Sequence, residues 1–203
     1  IAIPDSVVSI GDAAFSNCIS LASLTIGAGV TNIGDEAFCD CTSLPSVVIP
    51  DSVTNIGNIA FKSCTGLTNI VFGPSVDSIG ISALEGCINL SSVLIPNNVT
   101  TIGDNAFRNC SSLTNIMIGA NVTTIGIQAF SWCAGLAEIT VDDGNPAYFS
   151  TNGVLFNEGQ TAILQCPGGK AGFYTVPDGV THIANYAFSQ CSNLTAVTLP
   201  EGV

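Results

Sequence analysis

The chain has 203 residues, is 47% hydrophobic and 9% charged, and sets 15 acidic side chains against three basic ones for a formal net charge of −12. Nucleic-acid binding requires cations to neutralise phosphates, and Lys62, Arg108 and Lys170 are too few for it. The wealth of Ile, Val and Leu excludes a disordered chain, and polar residues break every apolar run well short of the roughly 18 residues a membrane-spanning helix needs.

The first predicted element is a short extended segment ending at Ile3. It recurs at Ile26, Ile49, Phe72, Ile95, Ile118, Val141, Val176 and Leu199, at seven intervals of 23 residues and one of 35. Leu113, Ile116 and Ile118 show the end of such a unit alternating at period two, which predicts a strand with one buried face. A second short strand ends at Ile10 and recurs at Ile33, Ile56, Ile79, Ile102, Ile125 and Ile183. Gly follows it at 11, 34, 57, 80, 103 and 126, where it reads as a turn residue. Next comes a segment such as residues 104–110, predicted as a helix of one or two turns with Ala106 and Phe107 inward. Asp12, Asp35 and Asp104 then read as helix N-terminal residues. A Cys column (18, 41, 64, 87, 110, 133, 191) and a Leu column (21, 44, 67, 90, 113, 136, 194) complete the unit.

A 23-residue unit cannot bury its own apolar face, so units must stack with like columns over like, about 4.8 Å apart. The predicted fold is an α/β repeat solenoid on the order of 40 Å long. Each coil supplies a strand to a parallel concave sheet, a second short strand and a short helix. Residues 1–141 are read as regular repeats, 142–176 as one irregular 35-residue coil, and 177–203 as a truncated regular repeat. In the irregular coil, Val154-Leu155-Phe156 and Ala162-Ile163-Leu164 flank a five-residue polar loop, which predicts a projecting hairpin with Tyr148 and Phe149 nearby. Both termini fall mid-motif without polar caps, so further repeats or end-to-end self-association of a fibre-like spacer is expected.

Units such as Ile49-Pro50-Asp51-Ser52-Val53-Thr54-Asn55-Ile56-Gly57, followed by Ala60-Phe61-Lys62-Ser63-Cys64-Thr65-Gly66-Leu67, resemble the BspA-like leucine-rich repeats. The resemblance implies a leucine-rich repeat solenoid from a secreted or surface-anchored bacterial protein. It also implies adhesion to host matrix proteins or other cell-surface partners.

The chemistry-bearing residues read mostly as structural. The column cysteines lack metal-site spacing and predict buried thiols. Cys39 and Cys166, outside the column, are the likelier reactive thiols by position. His182, the sole histidine, falls in an exposed polar column, and the carboxylates are scattered singly. No catalytic set, metal cluster or cofactor motif emerges, and the chain is expected to be non-enzymatic. One feature points to binding. The residue before the last aliphatic of the main strand should face outward, and four consecutive members are apolar: Val48, Val71, Leu94 and Met117. An exposed apolar stripe marks a contact surface. The expected partner is a protein or a glycan, with Tyr148 and Phe149 as additional contacts.

Overall fold

The computed structural model describes residues 1–203. Within the regular coils, each step of the repeat is a parallel pairing of one coil on the next. Main strands Ala2–Ile3 and Thr25–Ile26, Ser46–Val48 and Asn69–Val71, Asn115–Ile118 and Glu138–Val141, and Gly172–Thr175 and Leu194–Thr198 form four separate pairs. Equivalent residues face each other, as in Ile3 opposite Ile26, Val47 opposite Ile70 and Ile116 opposite Ile139. The longest continuous sheet belongs instead to the second strands. Ser9–Ile10, Asn32–Ile33, Asn55–Ile56, Ser78–Ile79, Thr101–Ile102 and Thr124–Ile125 join in one six-stranded parallel ladder.

The expected short helix of each repeat is absent; tandem turns replace it. Two residues per coil, four apart, take left-handed backbone: Glu36 and Asp40 (φ 57° and 58°), then Asn105 and Asn109 (56° and 59°) in a later coil. A right-handed helix cannot pass through such residues. They re-aim alternate amides along the stack. Ala13, Phe15 and Asn17 donate to the carbonyls of Asp35, Ala37 and Cys39 in the next coil at 2.7, 2.8 and 2.7 Å. The amides between, Ala14 and Ser16, close turns on Gly11 and Ala13 at 3.3 and 3.1 Å. All the backbone donors of this run are thereby satisfied within the protein. The carboxylates expected to cap helices serve the stack too: Asp12 Oδ1 accepts from the Asp35 amide at 2.9 Å and Asp104 Oδ1 from the Ile127 amide at 2.7 Å.

The Gly column likewise has a different cause from the one expected. From Gly34 onward these glycines do not need positive φ; they need closeness. A Cβ on Gly57 would lie 2.5 Å from the Gly34 carbonyl carbon, and one on Gly80 would lie 2.5 Å from the Gly57 oxygen.

Inside, like side chains lie over like. Phe15, Phe38 and Phe61 stack at centroid separations of 5.2 and 5.3 Å with planes within 7° of parallel. One apolar cluster of 43 buried residues runs from Ile3 to Leu155, and a second, of eight, runs from Val154 to Ala187. The boundary is the irregular coil. There Tyr148–Thr151, Val154–Asn157 and Ala162–Gln165 form an antiparallel meander, and the last of these strands pairs in parallel with His182–Ile183. The expected hairpin is present, but it does not project. Val154, Leu155 and Phe156 are buried, with Leu155 in the larger cluster and its two neighbours in the smaller.

Candidate binding face

Strand alternation decides which main-strand residues meet solvent. Val47, Ile70 and Ile116 point into the core, so Val48, Val71 and Met117 point out. Val48 is 63% exposed, Val71 47%, Leu94 73% and Met117 46%. Val48 stands directly opposite Val71 in the ladder. Thr25 on one side and Thr140 on the other, both exposed, hold the same position in flanking coils and end the apolar run. The structure therefore places four of the predicted contact residues on one face.

The ladder beneath this stripe is broken at its middle. In the main-strand ladder, the coil carrying Leu94 keeps only a single bridge to its neighbour, Asn69 to Ser92. The Ser91 amide reaches the Thr68 carbonyl at 3.3 Å and the Thr114 amide reaches Ser91 at 3.3 Å, against 2.9 Å for the corresponding bonds from Thr68 to Pro45 and from Ala137 to Thr114. Pro96 follows at once, and the loosened coil opens a groove of about 680 Å³ lined by Asn69, Val71, Pro74, Leu94, Pro96 and Asn115. Stripe and groove are continuous through Val71 and Leu94.

Tyr148 and Phe149 lie elsewhere. The Tyr148 hydroxyl accepts from the Ile125 amide at 2.8 Å and donates to the Thr123 carbonyl at 3.3 Å. It takes over a position in the second-strand ladder where the next parallel strand is missing, and burial raises its pKa. Phe149 is 37% exposed and borders a small depression of about 230 Å³ with Asp142, Asp143 and Glu158, which shares no residue with the groove at Leu94. Asn145, between them, is buried and spoken for: it donates to Gly119 and Val122 and accepts from the amides of Ala147 and Tyr148. Where the six-stranded ladder stops, a further cleft of about 560 Å³ opens between Ile125, Gln128, Tyr148, Gln165, His182 and Asn185. Periodicity could not reveal that cleft, because it exists only where the period fails.

The electrostatics are one-sided. Lys62 and Arg108 both pair with Glu85, at 3.0 and 2.7 Å, and the Lys170 ammonium donates to the Asn152 carbonyl. The basic side chains are thus engaged internally, and most carboxylates face water uncompensated.

The cysteines are all free. Column thiols donate to the carbonyl of the aromatic column one coil back, as Cys64 to Phe38 at 3.1 Å and Cys133 to Phe107 at 3.1 Å. Burial pushes Cys87 and Cys133 up to about 12 and Cys64 and Cys110 upward as well. Cys39, expected among the more reactive, is held up to about 12 by burial and by its hydrogen bond to the Asp40 carboxylate.

A solenoid of stacked 23-residue coils, with parallel ladders and leucine and isoleucine columns inside, is a leucine-rich repeat protein. The chain belongs to the family described as BspA type leucine rich repeat region, which matches it in six copies over residues 1–113, 31–152 and 170–203. No curated protein matches it. Among solved structures it is similar to a leucine-rich repeat protein from Eubacterium ventriosum, at 28% identity and TM-score 0.77 over 90% of this chain and 48% of that one. A leucine-rich cell surface protein from Faecalibacterium prausnitzii matches at 29% identity and TM-score 0.71, over 100% of this chain and 55% of that one. The pneumococcal vaccine antigen PcpA matches at 26% identity and TM-score 0.70, over 100% of this chain and 45% of that one. The chain spans about half the length of these structures. No helix of the chain is long and apolar enough to cross a membrane.

Proposed function

We propose that this chain is a non-enzymatic, protein-binding segment of a secreted or cell-surface bacterial protein, with its partner seated on Val48, Val71, Leu94 and Met117. The observation that carries this reading is that the outward main-strand position holds large exposed aliphatic side chains in four successive coils, over a loosened ladder. Elsewhere the same outward position holds Thr25 and Thr140. Aliphatic groups in a groove favour a partner that inserts apolar side chains, so a protein suits the face better than a glycan, which is recognised chiefly by hydrogen bonds and aromatic platforms. The uncompensated carboxylates favour a partner with basic residues around its apolar ridge. Phe149 offers a secondary contact, and Tyr148 only its ring edge, since its hydroxyl is engaged. Similarity to a cell surface protein from Faecalibacterium and to a pneumococcal vaccine antigen supports a surface location.

The test is capture of host matrix and mucosal proteins by the native chain and by Leu94→Asp/Met117→Asp. Central apolar anchors removed from an interface cost about 2 kcal/mol or more, roughly thirtyfold in affinity. The double variant should lose capture by that order while its circular dichroism spectrum stays unchanged. Capture by the folded variant at native strength would remove this face from consideration.

A further inference from the structure

In the regular coils the cysteines stack in register, each thiol pointing at a backbone carbonyl, and parallel side chains of this kind are poorly set to bridge. One pair breaks the pattern. The Cys166 amide donates to the Ala187 carbonyl at 2.7 Å, the bond that Phe61 makes to Ala83 at 2.8 Å in a regular coil. Cys166 therefore occupies the place of a column phenylalanine. In every regular coil that place is the neighbour of the next coil's cysteine, and the next coil's cysteine here is Cys191. Its Sγ lies 3.6 Å from the Cys166 carbonyl oxygen and 3.5 Å from that of Pro167. The Cys166 Sγ itself lies 3.9 Å from the Pro167 oxygen, so both thiols converge on one acceptor, which no two column thiols do.

We propose that Cys166 and Cys191 are a disulfide-forming pair that staples the irregular coil to the coil following it. The oxidant is a low-molecular-weight disulfide, R–S–S–R. The Cys191 thiolate attacks one of its sulfurs, forming a mixed disulfide and expelling RS⁻. Cys166 then gives up its proton, attacks the Cys191 sulfur and expels the second RS⁻. Two protein thiols are oxidised to one disulfide, the reagent is reduced to two thiols, and the two protein protons end on them. Cys191 is suited to the first step because the adjacent Cys166 thiol and the Lys170 charge lower its pKa. Cys166 is held up chiefly by the Cys191 thiol beside it, and by burial. Capping Cys191 removes this restraint and frees Cys166 to resolve the intermediate.

The position has structural sense. The staple crosses the smaller apolar cluster, to which Cys166 belongs and against which Cys191 packs, beyond the point where the meander divides the core. A bridge closing a loop of about 25 residues should raise the thermal midpoint by roughly 5–10 °C relative to the reduced chain.

The experiment folds the full chain in mixed reduced and oxidised glutathione, blocks remaining thiols in denaturant, and maps the digest by mass spectrometry. The expected result is one linked peptide pair joining residues 166 and 191, with the other seven of the nine cysteines blocked. Cys166→Ser should lose the link and leave glutathione on Cys191. Nine blocked cysteines, or links distributed equally among column cysteines, would overturn the proposal. The wild-type map decides this even if the variant does not fold.

Discussion

Glu85 shows how a stacked fold handles charge. Lys62, Glu85 and Arg108 are 23 residues apart, so they sit one above another as plus, minus, plus. Burial alone would raise the Glu85 pKa, but hydrogen bonds from Lys62, Ser82 and Arg108 outweigh it, and the carboxyl is held below its ordinary value. A depressed carboxyl contributes stability above its unfolded pKa, and loses it as pH falls through the lower folded value. Since both cations are about a third exposed, the contribution is about 1 kcal/mol. Glu85→Gln should therefore lower the thermal midpoint by a few degrees near neutral pH, because two like charges then stack without their counter-ion. The gap from wild type should close in acid below the ordinary carboxylate range, once Glu85 itself is protonated; melting curves across pH check both limbs. The cysteine column carries a parallel lesson. Its burial follows from its position among apolar columns, whereas its use as a donor to the carbonyl one coil back depends on where the neighbouring coil's backbone lies.

The turn segment is where local propensity and stacking compete. Residues 104–110 carry Asp, Ala and Phe at helix-like spacing, and an isolated turn of helix would use its own amides. Stacking offers alternate amides a carbonyl at about 2.8 Å in the next coil, and each bond so made also holds two coils together. Left-handed residues are the condition for this, and Asn suits them. Asn109, exposed and at φ 59°, is accordingly a clean test site. Asn109→Val should destabilise the chain by about 1–2 kcal/mol through backbone strain alone, read as a lower denaturant midpoint with an unchanged slope. Asn152-Gly153 is the same chemistry in another setting. It makes the tight turn between Tyr148–Thr151 and Val154–Asn157, with φ of 51° and 76°, and that dipeptide was the available signal for the first strand of the meander.

At the scale of the whole molecule, coil spacing governs everything. The six-stranded ladder, the ring stacks at 5.2 and 5.3 Å and the asparagine ladder from Asn32 to Asn55 all require neighbouring backbones to stay in register. Gly57 sits where that spacing is tightest. Gly57→Ala places a methyl 2.5 Å from backbone on the preceding coil, and nothing flexible there can yield. The expected outcome is a loss of several kcal/mol, at the upper end for single substitutions, with hydrogen-exchange protection falling first at amides on both sides of the Gly34–Gly57 contact. Gly159→Ala, in the open loop of the meander, should leave both midpoint and exchange pattern near wild type.

The period of 23, the identity of the buried columns and the outward stripe were legible in the sequence by itself, because each depends only on which residue recurs and on strand alternation. Ile10, Phe38, Cys64 and Leu113 are buried for reasons that any stack of such units must obey. Three features awaited the tertiary structure: turns in place of helices, the second strands as the continuous sheet, and the loosened coil at Leu94 that opens a groove. Each is decided by where the neighbouring coil puts its carbonyls and Cα atoms, distances that no single repeat contains. The juxtaposition of Cys166 with Cys191 belongs with them, since it arises only where an irregular coil shifts a cysteine into an aromatic column.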